Sequence, residues 1–137
     1  MTKTQHYQLN QWDAGDRVLR EDFNEDNRQI DAALGTIPLI RIGTYQGTGT
    51  VPIEVDVGFK PKIVLIFNTG RSISTSYSGV FTEALPIEYY DSDQYEFKPM
   101  TFMTATGFKA IEKSFNGERK EPMINRPNST YFYIAIG

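Results

Sequence analysis

All seven prolines of the chain, at positions 38, 52, 61, 86, 99, 122 and 127, lie beyond Gly35. Proline lacks an amide hydrogen and fixes φ, so it interrupts helices and is confined to the edges and ends of strands. Two differently built regions therefore meet near Gly35, the first free of proline and the second punctuated by it. Charge divides at the same place. Residues 1–35 carry Lys3, Arg17, Arg20 and Arg28 against Asp13, Asp16, Glu21, Asp22, Glu25, Asp26 and Asp31, which is 4 − 7 = −3 and equals the net charge of the whole 137-residue chain. The expected organisation is a lead-in and helix over 1–35 and a β-rich tip over 36–137.

From residue 21 to 34 there is no proline, glycine or β-branched run, and Phe23, Ile30 and Leu34 recur at helical spacing. Gly35 is the expected stop, reinforced by Pro38. A helix of about fourteen residues is marginal alone in water and needs a surface to pack on. Phe23, Asn27, Ile30 and Leu34 are spaced 4, 3 and 4, which places Phe23 and Ile30 at d and Asn27 and Leu34 at a of a heptad. Two readings follow: an oligomer seam in which Asn27 fixes register, or a surface helix laid on its own domain with Asn27 in solvent.

Beyond Gly35 the composition is that of strands punctuated by glycine and proline, expected near 40–44, 51–57, 62–68, 80–85, 97–104, 107–115 and 130–136. The fold class expected is mainly β, a short N-terminal α-helix followed by an antiparallel β-sandwich. In the last strand Thr130, Phe132, Ile134 and Ile136 share one face, and Tyr131, Tyr133 and Ala135 the other. Residues 63–67 (Ile-Val-Leu-Ile-Phe) are apolar on both faces, so this strand is central, and its second face needs a loop or another copy of the chain to cover it. Stretches 68–78 and 89–96 are expected to be exposed loops.

The absence of cysteine excludes disulfides, thiolate metal sites and cysteine nucleophiles, and the single histidine, His6, leaves little room for imidazole catalysis. Gly43, Gly47 and Gly49 lead into a strand pattern rather than a helix, which argues against a phosphate cradle. Asp22, Asn24, Asp26 and Asn27 imitate half a calcium loop, but the sixth position, Asn27, is not glycine and the twelfth is Ala33. Glu83, Glu88, Asp91 and Asp93 could supply two carboxylates, yet nothing selects a pair, and no G-x-S-x-G elbow is present. No catalytic residue, metal or cofactor is expected. Nucleic acid is not an expected partner for a chain of pI 5.1 whose basic pair Arg119-Lys120 lies between Glu118 and Glu121. No apolar run approaches the roughly 20 residues of a membrane span, and the opening residues lack the apolar stretch of an export signal. The positive signal is binding: Tyr77, Tyr89, Tyr90 and Tyr95, interleaved with Arg71, Asp91 and Asp93, combine apolar platforms with hydrogen-bonding groups suited to sugars or protein epitopes.

Leu9-Asn10-Gln11-Trp12-Asp13, followed by the run DRVLREDFNEDNRQIDAAL at 16–34, resembles the N-terminal segment of phage and prophage tail-fibre or receptor-binding proteins. Gly43-Thr44-Tyr45-Gln46-Gly47, the GFKPKIVLI stretch at 58–66, Thr106-Gly107-Phe108 and the closing YFYIAIG at 131–137 resemble, in order, elements of the β-rich tip of that family. The chain departs from the pattern in having no shaft between helix and tip. The resemblance implies a virion component made in the bacterial host cytoplasm. It would be a homotrimer among other phage tail proteins, adhering to a host-surface glycan or protein without catalysis. A structural tail or baseplate adaptor is the alternative; the short length and lack of repeats disfavour a polysaccharide-cleaving tailspike.

Overall fold

The structure is a computed structural model that describes all residues except Thr50, Thr75, Lys113, Asn116, Gly117 and Lys120, and the backbone alone at 114, 115, 118 and 119. The chain is mainly β, with antiparallel pairings and one helix, and divides into two compact units, Met1–Pro38 and Leu39–Gly137.

In the first unit, β1 (Thr2–Lys3) pairs antiparallel with β2 (Asn10–Gln11), and α1 spans Arg20–Gly35. The helix, expected near 21–34 after a lead-in, follows a short ribbon anchored to it rather than standing at the N-terminus. The Asn10 amide N–H donates to both oxygens of the buried Asp26 carboxylate, at 3.0 and 3.1 Å, and Asn10 Nδ2 donates to Asp26 Oδ1 at 3.1 Å and to the Asp22 carbonyl at 3.2 Å. Lys3 Nζ closes the arrangement on Asn10 Oδ1 at 2.6 Å. At the helix start, Leu19 is extended and its N–H donates to the Asp22 carboxylate at 3.4 Å, while Glu21 and Asp22 set negative charge against the helix dipole. The stop differs from expectation: Gly35 stays helical, and Thr36 ends the helix by donating its N–H and its Oγ1 to the Ala33 carbonyl.

The second unit runs β3 (Ile40–Gln46), β4 (Ile53–Asp56), β5 (Ile63–Asn68), β6 (Ser78–Phe81), β7 (Glu88–Asp91), β8 (Glu96–Pro99), β9 (Thr101–Met103), β10 (Gly107–Ala110), β11 (Ser114–Phe115), β12 (Glu118–Arg119) and β13 (Thr130–Ile136). A four-stranded sheet has the order β3-β13-β5-β6 and a three-stranded sheet the order β4-β10-β9, while β7 with β8 and β11 with β12 form two-stranded ribbons. The two larger sheets share one core. Phe108 of β10 meets the rings of Tyr45, Phe81 and Tyr133 edge-on at 6.1, 5.8 and 5.4 Å, and Tyr45 stacks on Tyr131 at 5.1 Å. The alternation read from the last strand is observed: Tyr131, Tyr133 and Ala135 are buried.

Three expected strands are shorter or divided. The strand at 80–85 ends at Phe81 because Thr82 and Leu85 bond each other in a turn. The one at 97–104 breaks at the fully buried Met100, whose N–H turns to the Ile87 carbonyl. The one at 107–115 divides after Ala110. The expected loop at 89–96 is instead most of the β7–β8 hairpin, held by a register in which Tyr90 faces Phe97 and Asp91 faces Glu96.

The stretch between β12 and β13 is tied to the core by polar groups. Asn125, wholly buried, donates Nδ2 to the carbonyls of Gly49 and Val51 at 2.9 Å and accepts the Thr48 N–H at 3.0 Å. Gly49 has φ +82, a conformation that favours glycine. Tyr45 and Tyr131 donate their hydroxyls to the carbonyls of Ile124 and Met123. Burial pushes both phenols above the usual tyrosine range, keeping them as donors.

Candidate functional site

The β7–β8 hairpin carries most of the residues that the sequence marks for binding. Tyr89 is half-buried and packs against the core, so it anchors the hairpin. Tyr90 is 44% exposed and lies 5.2 Å from the ring of Phe97, itself 65% exposed. Tyr95 stands at the tip, 82% exposed, with φ +54. Phe97, expected from sequence only as a strand residue, joins this exposed aromatic face because the register sets it opposite Tyr90.

On the other face of the ribbon, Lys98 Nζ lies 2.8 Å from Asp91 and 3.4 Å from Glu96. The hydrogen bond from Lys98 holds the Asp91 carboxyl below its usual range, opposed by partial desolvation and aided by the N–H groups of Asp93 and Gln94; Asp91 in turn raises the Lys98 ammonium. Asp91 therefore supports the turn, whereas Asp93 is exposed. Arg71 and Tyr77 sit on the connection between β5 and β6, where the guanidinium lies 5.0 Å over the Tyr77 ring. The expected binding residues are thus distributed over two elements, a ribbon and a loop.

A second surface is the outward face of the four-stranded sheet. Strand register sets Ile42, Ile134, Leu65 and Val80 in one row, Ile40, Ile136 and Ile63 in the next, and Thr44, Phe132, Phe67 and Ser78 in a third. None of these side chains is charged. Ile40 and Ile42 are 58% exposed, Val80 60% and Ile63 38%. Residues 63–67 are apolar on both sides, as the sequence shows; on the second side Leu65 and Phe67 are half-buried and Ile63 is exposed.

In the first unit, Phe23, Ile30 and Leu34 are exposed along the helix, as is Asn27. Phe23 lies against Trp12 at 5.0 Å. Ile30, Ala33 and Leu34 line an apolar depression of about 160 Å³ with Tyr7 and Ile37.

Among the described residues, no group of three or more His, Asp or Glu side chains is placed to hold a metal ion, and no helix is long and apolar enough to cross a membrane. Comparison with protein-family models, curated proteins and solved structures returns no match for this chain.

Proposed function

We propose that the chain is a non-enzymatic tail-fibre or receptor-binding component of a phage or prophage particle, adhering to the host bacterial surface. The observation that carries this reading is the β7–β8 hairpin, which holds Tyr90, Tyr95 and Phe97 in solvent on a ribbon anchored by Tyr89. Exposed aromatic rings on a braced ribbon provide contact area with little rotamer entropy left to lose on binding. The working unit is a homotrimer of β-sandwich tips, in keeping with the family that the sequence resembles. The uncharged outer sheet face and the apolar helix stripe are surfaces for that assembly. Three weak sites on one rigid particle gain avidity because the second and third engagements are intramolecular.

The test is binding of the purified full chain to intact bacteria and to cell-wall extracts, with the double variant Tyr95→Ala, Phe97→Ala as comparison. Retention is expected to fall at least about tenfold in the variant, since large exposed aromatics dominate such contacts. Equal retention overturns the reading. Binding that requires another tail protein on the hairpin, with none to cells, identifies a structural adaptor instead. Release of reducing ends from capsule identifies a tailspike.

A further inference from the structure

The hairpin leads at its base onto a cleft. Pro86, Pro99, Phe102 and Met103 enclose, with Thr82 and Glu83, a depression of about 270 Å³. Thr82 and Glu83 also form the wall of an adjoining depression of about 420 Å³, completed by Lys60, Pro61 and Lys62. The shared wall is a tight turn in which the Thr82 N–H donates to the Leu85 carbonyl and the Leu85 N–H to Thr82 Oγ1, both at 3.0 Å.

The cleft is graded in character. One end is apolar, lined by Phe102, 43% exposed, with Pro86, Pro99 and Met103. At the other, Lys60 pairs with Glu83 at 2.8 Å, and Lys62 has no ion-pair partner among the described residues, leaving one uncompensated positive charge. Register joins this cleft to the hairpin. Pro99 faces Glu88, and two positions along Phe97 faces Tyr90, so both pairs project from one side of the ribbon. The Tyr90–Phe97 rings therefore run onto the Pro99 wall.

We propose that the cleft holds an anionic sugar residue of a host-surface polysaccharide, with the Tyr90–Phe97 face carrying the neighbouring residues of the same chain. The inference rests on the adhesion reading above and assigns its ligand. A pyranose ring offers an apolar C–H face to Phe102 and the prolines, and a hydroxyl edge to Thr82 and Glu83. Its carboxylate or phosphate is matched by Lys62. A neutral glycan leaves Lys62 unmatched.

The experiment is amide-resolved NMR of the full chain titrated with three probes: a galacturonate hexamer, its methyl ester, and a hexose hexamer linked through phosphodiesters. Saturable shifts are expected at Lys62, Glu83 and Phe102, continuing to Tyr90 and Phe97, with whichever anionic hexamer binds tighter identifying carboxylate or phosphate. The ester should bind about fivefold more weakly than the acid, the upper range of one exposed ion pair. Lys62→Gln should remove that difference, and Phe102→Ala should weaken every probe about fivefold. Equal binding of all three probes, or no saturable shift in the cleft with either anionic hexamer, overturns the proposal. If the double variant Lys62→Gln, Phe102→Ala still adheres to cells while Tyr95→Ala, Phe97→Ala does not, the cleft assignment fails and the adhesion reading stands.

Discussion

Replacing Ile42 with aspartate tests whether the outer face of the four-stranded sheet is a contact between copies. Full burial of an isoleucine is worth about 1.5–3 kcal/mol, and Ile42 is 58% exposed, so covering its remaining surface gains about 1–2 kcal/mol. Ile40 and Val80 are exposed to a similar degree and Ile63 somewhat less. Together the four leave about two side chains' worth of apolar surface in water, or roughly 3–6 kcal/mol per copy. Association costs on the order of 4–15 kcal/mol, so three copies covering this face together can meet that cost while one contact alone barely does. Ile42→Asp recurs in every copy of a trimer. It would remove about 3–6 kcal/mol of apolar gain and place three carboxylates in an interface, each at several kcal/mol of desolvation. The expected result by light scattering at micromolar concentration is a wild-type mass about three times 15.6 kDa and a monomeric variant. Because Ile42 lies outside the core, the fold of the dissociated chain should change by only about 0.5 kcal/mol. A wild-type monomer, or an Ile42→Asp variant that keeps the wild-type mass, refutes the reasoning.

Two further outcomes probe what holds the second unit in shape. Asn125→Ala deletes two hydrogen bonds to carbonyls and one from the Thr48 N–H, and should cost about 2–4 kcal/mol in urea unfolding; a loss under about 1 kcal/mol would show that water replaces them. In the hairpin, the Asp91 carboxyl lies below its ordinary value of 3.8, chiefly through Lys98. A depressed carboxyl supports the folded ribbon above that ordinary value and loses its contribution as pH falls through the lower folded value. NMR titration of Asp91 should therefore give a midpoint that rises toward 3.8 in Lys98→Gln, and an unchanged midpoint would sink the attribution.

What the sequence made legible is what depends on alternation and on proline. The two faces of β13 were readable because period-two patterning needs no knowledge of partners: Tyr131, Tyr133 and Ala135 are buried and their neighbours are less so. The β7–β8 hairpin was not readable, since its stretch YYDSDQYE has no apolar period and its stability comes from pairs that exist only after folding, Tyr90 with Phe97 and Asp91 with Lys98. Its tip also places Tyr95 at positive φ, where glycine or asparagine is the usual signal. The anchoring of Asn125 links residues more than seventy positions apart, and the Asn10–Asp26 contact spans sixteen; side-chain identity alone does not disclose such partners. The cleft beside the hairpin is assembled from three separate stretches of chain, around residues 60, 83 and 102.

The strands of the four-stranded sheet carry two kinds of information in alternate positions. Val64, Ile66 and Tyr133 are committed to the core, and substituting them acts on folding. Ile63, Leu65, Ile134 and Ile42 carry equally apolar side chains that the single chain does not cover fully. Contiguous apolar surface of this kind marks interaction sites in soluble proteins, and the proposed assembly would use this face. Under the proposed assembly, the even and odd residues of one strand would therefore answer to different assays. Core positions should shift unfolding midpoints, outward positions should shift mass at constant midpoint, and a strand in which both sets moved the same observable would contradict the division.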